Sequence, residues 1–226
     1  MAQQEVSTPS KEFLTRLVSA AVLIPPVVAA IYFGSPYFEV FVGIGAVILI
    51  GELFIVTGKR LRWTLAGAVY VMFASYALIS LRAENLFGLE TVIWLFVLVW
   101  SADTGAYLVG RCIGGPKFAP RLSPKKTWSG FAGAVLFAGI AGGIAGYILE
   151  KDAILPISLY SGFLGGLSQY GDLLESWIKR RFDKKDMSAL IPGHGGLFDR
   201  ADGLVAAAIG AWITDLVTTE SLLKWL

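Results

Sequence analysis

The chain has 226 residues, of which 55% are hydrophobic and only 16% charged, with a net charge of +2. A soluble domain carries about 25% charged residues, and a disordered chain needs still more charge and less apolar surface, so neither class fits. One cysteine, Cys112, and one histidine, His194, exclude an internal disulfide, a multi-cysteine metal site and a His-rich metal centre.

In chain order, a polar stretch at residues 1–10 is expected to be disordered. Seven apolar runs follow: Leu17–Phe33, Tyr37–Val56, Trp63–Leu81, Leu89–Val109, Gly130–Leu149, Ala153–Tyr170 and Leu204–Leu223. Each approaches the roughly 20 residues that a helix needs to cross a bilayer. The first continues directly into the second and lacks a clear small-residue cleavage site, so it reads as a retained span. Pro25 and Pro26 are expected to kink it. Alternating seven spans from a cytoplasmic N-terminus places 16 of the 19 basic residues on the cytoplasmic side, leaving out Arg82, Lys151 and Lys224. The bias matches the positive-inside rule. The expected fold is therefore an all-α, polytopic integral membrane helix bundle of about seven transmembrane helices. It forms one domain over residues 1–226, with its N-terminus cytoplasmic. In the fifth run, Gly130, Ala134, Ala138, Gly142 and Gly146 make a small-residue stripe suited to close helix packing.

Two cytoplasmic-face segments, 110–129 and 171–203, hold most of the charged residues in both signs and are the expected active-site segments. Asp103 lies inside the fourth run, roughly 10 Å from its cytoplasmic end at 1.5 Å per residue. An acid there should face the bundle or a cavity and have a partner, in a functional or a structural role. Asp172, Ser176 and Lys179 share one face if the sixth helix continues past Tyr170. Glu175 and Lys179 read as an ordinary i,i+4 ion pair. Asp199 and Asp202 open the seventh run, where acids meet the helix dipole. Two acids there, beside Asp172, exceed what capping requires. Clustered oxygen ligands without a Cys or His set point to Mg²⁺. Around them stand Lys125, Lys126, Lys179, Arg180, Lys185 and Arg200. In Pro192-Gly-His-Gly-Gly196 the glycines suggest a tight turn whose amides approach a phosphate, with His194 either a donor or a turn residue. The sequence has neither a P-loop nor a dinucleotide-binding glycine fingerprint. The residues alone lead to phosphoryl or nucleotidyl transfer at a membrane surface.

The stretch from Ser176 to Asp202, with its Lys-Arg, Lys-Asp, Pro-Gly-His-Gly-Gly and Asp-Arg-x-Asp elements, closely resembles the signature of phosphatidate cytidylyltransferases, or CDP-diacylglycerol synthases. Ser101-Ala-Asp-Thr-Gly-Ala-Tyr107, Ser123-Pro-Lys-Lys-Thr-Trp128 and Gly171-Asp-Leu-Leu-Glu-Ser176 look like the family's as well. Met187 and Gly203 depart from it, where serine is frequent, and so does Ser129, where Glu or Gln is frequent. The resemblance implies that CTP and phosphatidate give CDP-diacylglycerol and pyrophosphate with Mg²⁺, with room for a second, monovalent or divalent, ion. It implies Asp172, Asp199, Asp202 and Asp103 as metal ligands, and Lys179, Arg200 and Asp186 as catalytic residues. Ser123, Lys125, Lys126, Thr127, His194 and Ser176 would bind substrate. It further implies a homodimer in a bacterial inner membrane, with the active site facing the cytoplasm and no nucleic-acid partner. The rival readings are a CTP-dependent lipid kinase and an ion-coupled transporter. The second fits less well, because the polar residues gather at one face and no repeat is visible.

Overall fold

The computed structural model describes residues 9–149, 151, 154–193 and 195–218. His194 and residues 1–8 of the expected disordered stretch lie outside the described residues. Seven helices and one hairpin are formed among the described residues. They are α1 (Pro9–Phe33), α2 (Tyr37–Val56), α3 (Leu61–Ala83), α4 (Gly88–Ile113), β1 (Lys117–Ala119), β2 (Ser123–Thr127), α5 (Trp128–Ile148), α6 (Ile154–Arg181) and α7 (Phe198–Thr218). Each apolar run overlaps one of these helices, and Ala153 and residues 219–223 of the last two runs lie outside the described residues. α1 starts at Pro9, inside the stretch expected to lack structure, and continues through Pro25 and Pro26.

The expected α-helical bundle is borne out, with one short hairpin added. Lys117 pairs with Thr127 and Ala119 with Ser123 in an antiparallel hairpin between α4 and α5. Its entry is set at Gly114 and Gly115, whose φ values of 66° and 102° end α4 in a conformation that side chains disfavour. Its exit is set at Thr127, whose hydroxyl accepts from Gly130 N at 3.1 Å and caps α5.

Among the described residues, five helices are long and apolar enough to cross a membrane: α2, α3, α4, α5 and α7. α1 has only the shorter apolar stretch Leu17–Phe33. α6 is diluted by serines, glycines, Gln169 and its charged end. Large apolar side chains such as Val47, Ile55, Leu136, Leu159 and Val217 point outward. That arrangement suits a lipid surround, in which helices satisfy their own backbone bonds.

The centre of the bundle is α4, α5 and α6, and small residues set its spacing. A Cβ on Gly105 would lie 2.5 Å from the Gly133 carbonyl oxygen, and one on Gly133 would lie 2.6 Å from that of Gly105. Backbone meets backbone across the α4–α5 crossing. The stripe Gly130, Ala134, Ala138, Gly142 and Gly146 is buried in this interior. Gly142 and Gly146 face Ile157 of α6, and Gly130 faces Ala106 of α4. The stripe is thus consumed within one chain and offers no support for a dimer.

The helices alternate in direction. Ser19 Oγ in α1 donates to the Pro192 carbonyl at 2.9 Å. At the opposite end Arg82 in α3 donates through Nε to the Ile31 carbonyl at 2.8 Å, closing the end of α1. Thr57, after α2, shares a 3.0 Å hydrogen bond with Thr64 of α3. The N-terminal ends of α3, α5 and α7 therefore meet the C-terminal ends of α2, α4 and α6 at one end of the bundle.

This close packing makes a prediction. Gly105→Ala forces α4 and α5 apart and should cost on the order of 1–3 kcal/mol, as overpacking does. Gly43→Ala, whose Cβ meets nothing within 4 Å, should leave stability unchanged or slightly raised. Thermal unfolding midpoints in detergent check both.

Candidate active site

The polar end of the bundle holds a continuous chain of contacts. It begins at Asp103 in α4, whose Oδ1 accepts from Gln169 Nε2 at 3.1 Å. Gln169 Oε1 accepts in turn from Lys126 Nζ at 3.1 Å. Lys126 Nζ is 2.7 Å from Asp172 Oδ2, and Asp172 Oδ1 accepts from Ser176 Oγ at 3.3 Å. One turn further along α6, Lys179 Nζ stands 2.7 Å from Glu175 Oε2 and 2.7 Å from Asp199 Oδ1. Three helices and the hairpin each supply a link.

Local structure explains the placement. α6 does continue past Tyr170, so Asp172, Ser176 and Lys179 share a face as their spacing requires. On β2 successive side chains point opposite ways, so Lys126 turns into the site while Lys125 is exposed. Gly171 lets α7 come close, since a Cβ there would collide with the Asp202 carbonyl oxygen. That contact brings Asp202 to Asp172. Asp172, Glu175 and Asp202 present one carboxylate oxygen each within 4.8 Å of one another.

Glu175 differs from its expected role. It forms the ion pair with Lys179, as its spacing implies. It is also 2% exposed, and its second oxygen, Oε1, is buried without a hydrogen-bond partner. A buried acceptor left unpaired costs about 1–3 kcal/mol, more when charged. Glu175 and Lys179 lie past Tyr170, outside the five apolar spans. Burial pushes the Glu175 carboxyl up to about 9, with Asp199 and Asp202 adding to the rise and Lys179 opposing it. Burial lowers Lys179, but its bonds to Asp199 and Glu175 outweigh this and hold it above its ordinary value.

Asp199 is held by one amine and two backbone amides. Its Oδ1 is taken by Lys179, and its Oδ2 accepts from Met187 N at 3.0 Å and Gly196 N at 2.7 Å. It holds the loop before α7 and stands outside the three-carboxylate group. Asp103 is joined to that group through Gln169 and Lys126. The charges of Asp172, Lys126 and Arg200 also act on it.

The remaining expected residues divide. Arg200 lies on the first turn of α7, at the same end, with its side chain exposed. Thr127 is buried as the cap of α5, and its hydroxyl also meets Ser129 at 3.0 Å. Ser123 pairs with Ala119 in the hairpin. Asp186 is exposed on the loop before α7. His194 lies outside the described residues. The glycines beside it approach carboxylates: a Cβ on Gly195 would lie 2.9 Å from Asp199 Oδ2, and one on Gly196 2.7 Å from Glu52 Oε1.

Two polar residues escaped the sequence reading. Gln169 is buried and bridges Asp103 to Lys126. Glu52 is buried in α2 and bonded to the loop before α7. Each interrupts an apolar run, and that signal marks an intramembrane functional residue.

The chain matches the model of the cytidylyltransferase family over residues 54–217, more than half of its length. It is 43% identical over 158 residues to a phosphatidate cytidylyltransferase of Brucella suis, covering 70% of this chain and 58% of that protein. It is 33% identical over 200 residues to one of Rickettsia bellii, covering 85% and 86%. With one of Bacillus subtilis it shares 38% identity over 143 residues, covering 61% and 52%. The chain thus spans little more than half the length of the Brucella and Bacillus relatives.

The Lys179 contacts make a prediction that does not depend on activity. Lys179 is 12% exposed and Asp199 7%, measured on their side chains. Removing the amine strands two buried carboxylates. Lys179→Met should cost about 3–5 kcal/mol, the cost of breaking a buried ion pair. Lys179→Arg should cost clearly less. Chemical or thermal unfolding in detergent measures the difference.

Proposed function

The chain belongs to the cytidylyltransferase family, and we propose that it makes CDP-diacylglycerol and pyrophosphate from CTP and phosphatidate. One observation carries the reading. Within the family-matched region, three carboxylates meet at one end of an apolar bundle with a lysine on either side. The curated relatives bear the name of that activity.

In the reaction, an oxygen of the phosphatidate phosphate attacks the α-phosphorus of CTP. The bond from that phosphorus to the β-phosphate bridging oxygen breaks, and pyrophosphate leaves. The attacking oxygen is already anionic, so no strong base is needed. The barrier lies in bringing two anions together and aligning them, which fixed positive charge lowers.

Asp172, Glu175 and Asp202 would hold Mg²⁺. The donors are all oxygens, as that ion prefers, and the unpartnered Glu175 Oε1 fits a missing cation. When bound, the ion would supply charge neutralisation and orientation for phosphate oxygens. A second, monovalent or divalent, ion would belong near the same acids. Lys126 and Lys179 flank the group and are fixed by Asp172 and by Glu175 with Asp199, so their positive charges are already oriented. Lys126, Lys179 and Arg200 hold phosphates in this reading. Asp199 orients Lys179 and the loop before α7. Ser176 orients Asp172. Ser123 and Lys125, on the hairpin, and Asp186, on the exposed loop before α7, would line the substrate-binding rim, which Thr127 supports by capping α5; His194 is kept as a substrate-binding residue on the family resemblance. An outward cleft of about 230 Å³ lined by Val97, Trp100, Ser101, Thr104 and Phe137 suits an acyl chain.

The whole assembly reads as seven spans with a cytoplasmic N-terminus, α1 and the first part of α6 completing the five apolar helices. Charge distribution supports this orientation and a site facing the cytoplasm of a bacterium's inner membrane. The homodimer is retained on family resemblance alone.

Purified protein in detergent, given CTP and phosphatidate, should release CDP-diacylglycerol and pyrophosphate only with Mg²⁺. Glu175→Gln and Asp202→Asn should slow it by about 10²–10³-fold, the scale of a lost transition-state charge contact. No lipid product from a folded sample at any Mg²⁺ concentration would overturn the reaction. A larger loss from Asp199→Asn than from Glu175→Gln would move the ligand set to Asp199.

A further inference from the structure

We propose that Glu52, on α2, is a positioning residue that fixes the Met187–Phe198 loop and the start of α7 relative to the acidic group. Glu52 is 4% exposed, and it lies just outside the family-matched region. Its Oε1 accepts from Ser188 Oγ at 2.6 Å and from Leu197 N at 2.8 Å. Its Oε2 accepts from Phe198 N at 2.8 Å. The donors come from both ends of one loop, more than 130 residues from Glu52 in sequence. Two of them are amides at the start of α7, among the groups that a helix cannot satisfy itself. A carboxylate there also meets the positive end of the helix dipole.

The fit is close. A Cβ on Gly196 would lie 2.7 Å from Glu52 Oε1. Met187 and Phe198 are fully buried against Leu49, Leu53 and Val56 of α2 and Val71 of α3. The loop is thus anchored to α2 by apolar contact and by the carboxylate. On its other side it is held by Asp199, which binds Met187 N and Gly196 N. Asp199 is tied to Lys179, and Lys179 to Glu175. Glu52 therefore acts on the acidic group through the loop, Asp199 and Lys179. It also fixes the first turn of α7, which Asp202 directly follows.

A neutral amide cannot replace this function. Glutamine has one acceptor oxygen, and its NH₂ would face a backbone N–H. Both Glu52 oxygens are directed at the loop, and Glu52 is not among the three carboxylates that converge at Asp172, Glu175 and Asp202.

The consequence for activity rests on the reading of Asp172, Glu175 and Asp202 as the cation group; the loop anchor itself does not. The test uses the full chain in detergent, as wild type, Glu52→Gln, Glu52→Asp and Ser188→Ala. The first readout is amide hydrogen exchange, compared between residues 187–198 and the hairpin 117–127. The second is Mn²⁺ binding by electron paramagnetic resonance without substrate. Glu52→Gln should speed exchange in 187–198 at least tenfold and leave the hairpin unchanged. It should weaken Mn²⁺ binding by about tenfold. Glu52→Asp should recover part of both. Ser188→Ala, which removes one donor and keeps the fold, should shift exchange in the same direction by less.

Wild-type exchange in 187–198 for both Glu52→Gln and Ser188→Ala would overturn the proposal. So would equal acceleration across the whole chain in every variant. Local acceleration in a protein whose wild type makes no CDP-diacylglycerol would support the anchor and refute the proposed reaction.

Discussion

Lys179 places a single amine 2.7 Å from Glu175 on its own helix and 2.7 Å from Asp199 on α7. Around that contact an apolar bundle must accommodate buried charge, which costs several kcal/mol per ion unless paired and hydrogen-bonded. Everything at this end follows from meeting that constraint. Asp199 spends its other oxygen on the amides of Met187 and Gly196. Asp172 is paired with Lys126, and Lys126 with Gln169. Glu52 spends both oxygens on the loop that Asp199 holds from within. The loop hangs between two carboxylates, and Gly195 and Gly196 stand where a side chain would strike one of them.

The apolar part of the bundle makes this possible by bringing backbones close. Gly105 and Gly133 put α4 against α5, and Gly171 puts α6 against α7. Without those approaches Asp202 would not reach Asp172, and Asp103 would not reach Gln169. Stability and site geometry are therefore set by the same small residues. A larger side chain at Gly171 would separate the carboxylates directly, whereas one at Gly43 would meet only the surround.

Much of this was legible in the sequence. Apolar length located all seven helices, and i,i+4 spacing joined Asp172, Ser176 and Lys179. Charge clustering identified the polar end. The hairpin was not legible, because Lys117–Thr127 has no alternating apolar face; its strands are held by backbone pairing and by the glycines that enter it. The loop contacts of Asp199 were hidden because Met187 and Gly196 come to it only through the fold of the loop before α7. Glu175 was half legible: its pairing with Lys179 follows from spacing, but its unpartnered oxygen depends on where Asp202 falls. Glu52 and Gln169 were visible as polar interruptions of apolar runs. Their partners lie far along the chain, beyond what local spacing encodes.

The charges of the site bear on what it binds. Asp103, Asp172, Glu175, Asp199 and Asp202 are five acids, set among Lys126, Lys179 and Arg200, three bases. With all eight ionised, two negative charges remain, the charge of one divalent cation. The raised Glu175 carboxyl is the same deficit met by a proton. If the three carboxylates hold the proposed Mg²⁺, cation and proton would compete for one place, and the ion would win more easily as pH rises. In the proposed reaction two anionic substrates would meet this excess negative charge first, so neutralising it would precede their binding. Lys126 and Lys179, held at either side, would then be the fixed positive charges nearest the phosphates.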